Sequence, residues 1–420
     1  MQHIEQLLSA LPEHDLTFLG SAPYVYHCHH FNLFHDQTVE DALGEDEAFS
    51  VRAQAAHDAS RQLLSELVKS AGAETPAERL ELAAATLPWM GHGKLELMTD
   101  AGGGRARGSY LHYGFTWREK YGSRVRRRHP ADAFAAGYAA AATEVALSLA
   151  PGSLRATEPA CFACREPACE IEITEAGGHS DASLVDKEAF TQHVATPAEG
   201  VEEAAVAKIA AGLKDFLRGL DGDERGLLQG FGVYVTRHLA NYYDQTAYDT
   251  IHRVEKERPQ VAGVVESLFG ESGHVCVFYT FGGILASPEW EALVGPLRGE
   301  PEEIVVGCTA IARGLGFGHW TIGELVPGER LVMRSTSNYE APFYRNRYGR
   351  SEKPRCYFFS NAARAFMQLA HKVDWSKRPR LDDALYQSLF KSDLAWDIEM
   401  TRCQTRGDAL TEVVVTRHGS

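Results

Sequence analysis

Residues 161–174 read CFACREPACEIEIT, and residues 403–416 read CQTRGDALTEVVVT. The two stretches align without a gap at a cysteine, at acidic positions, at the apolar positions that follow and at a final threonine. Upstream, a Gly-His pair occurs at 91–92 and again at 318–319, and a Tyr-Gly pair recurs at the same offset. Self-similarity of this kind is typical of a repeated structural unit. The sequence therefore predicts two tandem copies of one domain.

Bulk composition excludes several classes of protein. The chain has 420 residues, a formal net charge of -15 and eight cysteines. An acidic chain lacks the basic surface that nucleic-acid binding requires. We also expect no membrane insertion, because no segment of the sequence approaches the run of about 20 apolar residues that spans a bilayer. Few cysteines in so long a chain fit a reducing compartment better than a disulfide framework. We expect a cytoplasmic protein with no nucleic-acid partner.

The order of elements predicts an α+β fold. In each copy, helical sequence is followed by antiparallel strands such as Trp320 to Leu325 and Arg330 to Ser335, then by an Ala-rich helix and a last strand. The Ala-rich helices are expected at 131–149 and 358–371. The predicted domains are residues 1–176 and 201–420, and residues 177–200 form a linker rich in Gly, Ser, Asp and Pro.

The second copy resembles a known family. Its segments GLGFGHWTIGEL (314–325) and RLVMRSTSNYEA (330–341) are similar to the 4-vinyl-reductase-type, or hydrocarbon-binding, small-molecule-binding domain, which also serves as the sensor module of aromatic-responsive bacterial activators. The resemblance implies a hydrophobic ligand. In the sensor modules, zinc is held by a helix cysteine, a glutamate, a cysteine three residues later and a cysteine eight residues after that. Glu158, Cys161 and Cys169 have this spacing.

The first copy departs from that pattern in one position. The helix that should supply the remaining cysteine contains none, and the nearest ligand-type residue is His129. In the second copy Cys356 and Cys403 remain, but Thr411 replaces the last ligand. We therefore expect a complete metal site in the first copy alone.

The motif Cys161-x2-Cys164-x4-Cys169 independently indicates a soft metal ion, because thiolates at such spacing can converge on one cation. A further ligand would be Glu158, His129 or Cys28. The expected metal is structural zinc. Four thiolates including Cys28 would also suit an iron–sulfur cluster, and a redox thiol site or buried free cysteines are the remaining alternatives.

A second ligand-rich segment runs from His27 to Asp36. The sequence does not decide whether it is a strand or a helix. His29, His30, His35 and Asp36 are candidate ligands for a catalytic zinc or iron ion, because imidazoles with a carboxylate are the usual ligands of these metals. The alternative is a polar strand end with ordinary hydrogen bonds. We expect this segment to line the functional pocket of the first copy.

The repeated Gly-His pairs and neighbouring aromatic residues could line an apolar pocket with polar groups. The candidate ligand-pocket residues are His92, Tyr113, Trp117, His319 and Tyr339. The predicted function is the binding of a hydrophobic small molecule, aromatic or tetrapyrrole-like, by a sensor, carrier or chaperone. The alternative is a metalloenzyme that uses the His27 to His35 segment beside the pocket. The two copies are expected to pack together as a pseudo-two-fold pair within one monomer.

Overall fold

The computed structural model describes residues 2–100, 102–177, 184–197, 199–392 and 394–419. Helices and antiparallel sheets pack around a shared core, so the α+β class predicted from the sequence is confirmed. The α-helices are α1 (Gln2–Gln6), α2 (His29–Leu43), α3 (Glu45–Ala71), α4 (Pro76–Trp89), α5 (His112–Tyr121), α6 (Ala133–Leu147), α7 (Lys187–Thr191), α8 (Glu203–Arg218), α9 (Ala240–Glu257), α10 (Ala262–Cys276), α11 (Gly282–Leu285), α12 (Pro288–Val294), α13 (Pro301–Gly314), α14 (Glu340–Tyr348), α15 (Tyr357–Lys372) and α16 (Asp383–Gln387). The strands are β1 (Leu8–Leu11), β2 (Leu16–Leu19), β3 (Ala22–Cys28), β4 (Glu96–Asp100), β5 (Gly103–Gly108), β6 (Leu154–Ala160), β7 (Cys169–Glu175), β8 (Leu228–Gly230), β9 (Val233–Leu239), β10 (Trp320–Val326), β11 (Arg330–Ser335), β12 (Trp396–Arg402) and β13 (Thr411–Arg417).

Two four-stranded antiparallel sheets have the same strand order, one in each half of the chain. Their orders are β4-β5-β7-β6 and β10-β11-β13-β12. In both, the last strand in sequence lies inside the sheet, because the hairpin partner before it takes the edge position. Ile171 and Ile173 on β7, like Val413 and Val415 on β13, alternate with more exposed residues and bury one face of each sheet.

A five-stranded sheet joins the two halves. Its order is β1-β2-β3-β9-β8, so hairpins from both halves meet where β3 pairs antiparallel with β9. The register places Tyr24 opposite Leu239 and Cys28 opposite Val235. Helices α2 and α9 begin directly after these two strands, so the segment from His27 to Asp36 starts as strand and continues as helix.

Each half contains a closely packed helix pair, α3 with α6 and α10 with α15. A glycine permits each close approach. A Cβ atom at Gly137 would lie 2.1 Å from the carbonyl oxygen of Ala53, and a Cβ atom at Gly273 would lie 2.7 Å from the carbonyl oxygen of Phe358. Any side chain at these positions would therefore push the paired helices apart.

The predicted linker contains structure where it is described. Helix α7 lies within it, and Phe190 on that helix is buried with its ring centroid 6.0 Å from that of Phe18. Residues 178–183 and 198 of the linker lie outside the described residues.

One helical stretch of the described residues, Pro259–Leu285, is long and apolar enough to cross a membrane by length and composition. The sequence-based expectation that no window has this character was therefore wrong. Of its apolar window, 61% is buried inside the fold, where the stretch packs on α15 and α2. Burial of this kind is sufficient to explain the apolar composition of a core helix.

Candidate functional site

Four buried side chains converge where the Ala-rich helix of the first half meets its sheet. Asp132 directly precedes α6, Glu158 lies on β6, Cys161 follows β6 and Cys169 begins β7. One ligand atom from each lies within 4.8 Å of the others, and all four residues are buried. The register of β6 against β7 shifts between Thr157 and Ala160. This irregularity spans Glu158, and such bulges re-aim side chains.

Backbone groups hold the Asp132 carboxylate in place. Its oxygens accept hydrogen bonds from the N–H groups of Tyr113 at 3.0 Å and Gly114 at 2.7 Å, at the start of α5. The N–H of Asp132 donates to Glu158 at 2.8 Å, and the Cys169 thiol donates to Asp132 at 3.3 Å. A Cβ atom at Gly114 would lie only 2.4 Å from Asp132 Oδ2, so glycine is required beside the group. We name Asp132, Glu158, Cys161 and Cys169 the Asp132 cluster.

The Asp132 cluster concentrates acidic groups away from water. Burial, together with the neighbouring Cys161, raises the pKa of Asp132 to about 8 and raises the pKa of Glu158 well above its ordinary value. Hydrogen bonds from the Cys164 and Cys169 thiols lower the pKa of Cys161. Glu158 Oε1 is buried without a hydrogen-bond partner. A cation among these groups would satisfy that oxygen and allow all four to ionise, so the donor set fits a metal ion.

Three other candidate metal ligands lie outside the four converging donors, and of these Cys164 is hydrogen-bonded to Cys161. The His129 side chain is 40% exposed, and its Nε2 lies 2.6 Å from Glu45 Oε2. Cys164 is partly exposed, and its thiol donates to the carbonyl of His129 at 3.2 Å. Cys28 lies at the end of β3, in the sheet that joins the halves. Within the described residues, the group of converging donors contains Asp132 beside Glu158, Cys161 and Cys169, and it includes neither Cys28 nor His129, which the sequence predicted as completing ligands.

The histidine-rich segment is divided by the strand-to-helix junction. His29 and His30 have ring centroids 3.9 Å apart, and His30 stacks on Tyr279 at 4.0 Å. Asp36 instead accepts a hydrogen bond from buried Arg52 at 2.6 Å. Within the described residues, His29, His30, His35 and Asp36 do not form a group at metal-ligand distance. The segment does contact the second half, because Asn32 bonds to Thr236 and accepts from the Tyr243 hydroxyl at 2.6 Å.

Of the five candidate ligand-pocket residues, His92 and Tyr113 contact each other, with ring centroids 6.2 Å apart. The His92 ring stacks on Phe134, and the Tyr113 hydroxyl lies 3.1 Å from His238 Nε2. Trp117 is buried under the guanidinium of Arg127. His319 Nδ1 contacts Asp15 at 2.8 Å. Tyr339 lines a small cavity described below. The first four residues thus serve packing, hydrogen bonds or ion pairs.

One cavity of the first half, which we name the α3–α6 cavity, borders the Asp132 cluster. It has a volume of about 410 Å³ and lies between α3, α6 and β6. Its size falls in the range of small-molecule sites. Glu158 of the Asp132 cluster also lines it. Its other lining residues are Glu45, Asp46, Phe49, Ser50, Ala53, Gln54, His57, His129, Pro130, Gly137, Ala140, Leu154, Arg155, Ala156, Thr157 and Pro159.

A smaller cavity of about 30 Å³ lies between α2 of the first half and the helices of the second. We name it the Asp244 cavity. The sequence predicted His35 and Tyr339 as site residues, but it did not reveal the whole cavity because the lining residues come from five separate elements. Its lining residues are Phe31, His35, Tyr243, Asp244, Ala247, Tyr248, Phe269, Ser272, Tyr339, Glu340, Tyr357 and Phe358.

No protein-family model matches the chain, and no curated protein matches it. Among solved structures, the crystal structure of the phenol-responsive sensory domain of the transcription activator PoxR with phenol matches at 19% sequence identity. The match covers 41% of this chain and 87% of that chain, with a TM-score of 0.34. A TM-score this low supports no conclusion about the function of this chain.

Proposed function

We propose that the chain is a small-molecule-binding protein, a sensor or carrier, that holds a hydrophobic ligand in the α3–α6 cavity and one zinc ion in the Asp132 cluster. The observation that carries the proposal is the double position of Glu158, which is one of the four gathered donors and also lines the cavity. Ligand and metal would therefore act on the same strand, β6.

The cavity has the chemistry that a hydrophobic ligand with a polar group requires. Phe49 and Leu154 supply apolar surface, and small residues such as Ala53 and Ala140 leave the space open. Ser50 and Gln54 place polar atoms in the same wall. Apolar surface with a few polar groups is the usual composition of a small-molecule site.

The Asp132 cluster supports a structural role for the metal. The cluster joins the start of α6 to the ends of β6 and β7, so a cation bound there would link the helix to the sheet. Two thiols and two carboxyls are a donor set that zinc accepts. Metal affinity and the stability of this corner should then be coupled. The tandem arrangement belongs to the same proposal, with the second half as a diverged copy.

Metal content tests the first part of the proposal. The full chain, the double variant Cys161→Ser Cys169→Ser and the matched control Cys356→Ser Cys403→Ser are purified and analysed by elemental mass spectrometry. We expect about one zinc per chain in the wild type and the control, and little in the first variant, because it removes both thiolates. Full occupancy after Cys161→Ser Cys169→Ser would contradict the metal site.

Ligand binding tests the second part. The probe is 2-naphthol, an apolar aromatic alcohol whose fluorescence reports its binding. Ala156→Trp places a large ring in the wall of the cavity, whereas Glu175→Trp adds the same ring at an exposed position on β7. We expect Ala156→Trp to weaken binding at least about tenfold, since a filled cavity excludes the ligand. Equal affinity of both variants would contradict the cavity as the ligand site.

A further inference from the structure

Two identical Asp-Gln-Thr triplets place a buried aspartate on α2 and another on α9. They are Asp36 and Asp244, at 36–38 and 244–246. Asp36 has a cationic partner, because Arg52 Nη1 lies 2.6 Å from its Oδ2, and it also accepts from the Tyr242 hydroxyl at 3.1 Å. Its negative charge is therefore offset inside the fold.

Asp244 has no such partner. The residue is 3% exposed, and its Oδ2 is buried without a hydrogen bond. Within the described residues, no basic side chain forms an ion pair with it, unlike the corresponding Asp36. An isolated buried carboxylate is strongly unfavourable unless it is paired or protonated. The fold thus supplies a counter-ion to one member of the pair and not to the other.

The cavity beside Asp244 can hold a cation. The Asp244 cavity has a volume of about 30 Å³, which exceeds the roughly 10–15 Å³ that a cavity needs to hold one water molecule. His35, which is 3% exposed, lines it; its ring nitrogens make no hydrogen bond, and its Nδ1 lies 3.8 Å from Asp36 Oδ1. A neutral imidazole offers one acceptor nitrogen. Asp244 Oδ2 and the ring nitrogens of His35, which make no hydrogen bonds, therefore belong to side chains that line a space large enough for one small ion.

Aromatic rings form most of the remaining wall. Phe31, Tyr243, Tyr339 and Phe358 are all buried there. Aromatic faces attract cations, and an ammonium group among several rings is the usual occupant of such a cage. Glu340 also lines the cavity, but its two oxygens already accept the N–H groups of Phe358 and Phe359 at 2.9 and 3.0 Å. Glu340 is therefore already hydrogen-bonded, whereas Asp244 Oδ2 is not.

We propose that the Asp244 cavity binds a small ammonium-type cation, of the size of ammonium or methylammonium, with Asp244 as counter-ion, His35 as hydrogen-bond acceptor and the aromatic rings as the cage. The ion takes the place that the Arg52 guanidinium has beside Asp36. This site lies apart from the Asp132 cluster and the α3–α6 cavity, so it does not depend on the proposed function. Ala247 and Tyr357 in the wall are partly exposed, which places the cavity near the protein surface.

The test is thermal denaturation of the full chain in methylammonium chloride and in potassium chloride at equal ionic strength. Asp244→Asn removes the counter-ion charge, and Glu257→Gln is a matched control at the exposed end of the same helix. We expect methylammonium to raise Tm by about 2 °C or more in the wild type and in Glu257→Gln, because a ligand that binds the folded state stabilises it. Asp244→Asn should abolish the difference between the two salts.

A second variant distinguishes loss of the cation site from a change in folding caused by Asp244→Asn. Ala247→Leu fills the cavity and retains Asp244, so it should also lose the response to methylammonium. Equal Tm in the two salts for the wild type would overturn the proposal, as would an undiminished methylammonium response in Asp244→Asn. Phenol serves as a neutral probe: stabilisation by phenol but not by methylammonium, lost in Asp244→Asn, would assign the cavity to a hydroxyl ligand of protonated Asp244 and refute the cation.

Discussion

The Sγ atoms of Cys356 and Cys403 lie 3.5 Å apart in the second half of the chain. Cys356 directly precedes α15, as Asp132 precedes α6, and Cys403 follows β12, as Cys161 follows β6. The turns that follow Cys161 and Cys403 are also alike, because each of these two carbonyl groups accepts a hydrogen bond at 2.9 Å from the N–H of the residue three positions later. The second half thus holds two thiols where the first holds two donors of the Asp132 cluster.

A third donor should convert this pair of thiols into a metal site. Thr411 begins β13 as Cys169 begins β7, and it is buried with its hydroxyl 3.7 Å from Cys356 Sγ. We expect Thr411→Cys to add about one zinc per chain, since three converging thiolates bind zinc readily. Elemental analysis of the purified variant measures this.

The control for that variant is Thr401→Cys, which adds a thiol at an exposed position of β12. It should leave the metal content unchanged. A folded Thr411→Cys protein with no more zinc than the wild type would show that the second half does not reproduce the geometry of the first.

Sequence patterns predicted the secondary-structure elements better than the tertiary contacts between side chains. The β11 prediction agrees with the structure at both ends, because alternating residues between two turns define a strand. The histidine-rich segment could not be divided into strand and helix, because the residue before α2, Cys28, makes no side-chain capping bond. Sequence signals for a helix start depend on such caps.

The sequence predicted that Glu158, Cys161 and Cys169 converge, but it did not reveal the other tertiary partners. Asp132 has no spacing motif, and its role arises from the approach of α5, β6 and β7 to the start of α6. Asp36 and Asp244 lie in identical triplets, yet only Asp36 meets an arginine. Local sequence is the same in both cases, so the difference lies in long-range packing.

A buried histidine should make stability depend on pH in the alkaline range. The His57 ring bonds to Asp58 at 3.1 Å and to Glu144 at 2.9 Å. Burial lowers the pKa of His57, but these carboxylates outweigh it and raise the pKa to about 9. Protonated His57 therefore stabilises the folded state fully below about pH 6.5, and this contribution is lost as the pH rises through about 9.

Urea unfolding at pH 6 and pH 10 measures the effect. The shift corresponds to about 3 kcal/mol of unfolding free energy, and this part of the pH dependence should disappear in His57→Gln. His418→Gln is the control, because that exposed ring is bound only to Asp397 near the carboxyl terminus. An unchanged pH dependence in His57→Gln would show that the ion pair does not form in the native protein.

Asp15 connects the amino-terminal segment to the second half. Its carboxylate lies 2.5 Å from Lys214 Nζ, 2.6 Å from Arg313 Nε and 2.8 Å from His319 Nδ1. Burial raises the pKa of Asp15, but His319 and the two cations outweigh it, so the pKa is lowered below 3.8. We expect Asp15→Asn to reduce the unfolding free energy by about 1–3 kcal/mol, because buried Arg313 loses one of its two anionic partners and retains Glu203.

The dependence of the unfolding free energy on pH in the acidic range gives an independent check of the same contact. A lowered folded-state pKa means that Asp15 stabilises the protein above about pH 4 and that this contribution is lost as the pH falls further. Asp15→Asn should reduce the loss of unfolding free energy as the pH falls below about 4. Asp215→Asn is the matched control, since its pair with Arg218 is exposed and worth at most about 1 kcal/mol. Equal unfolding free energies for the two variants would mean that the contacts of Asp15 with the second half do not stabilise the protein.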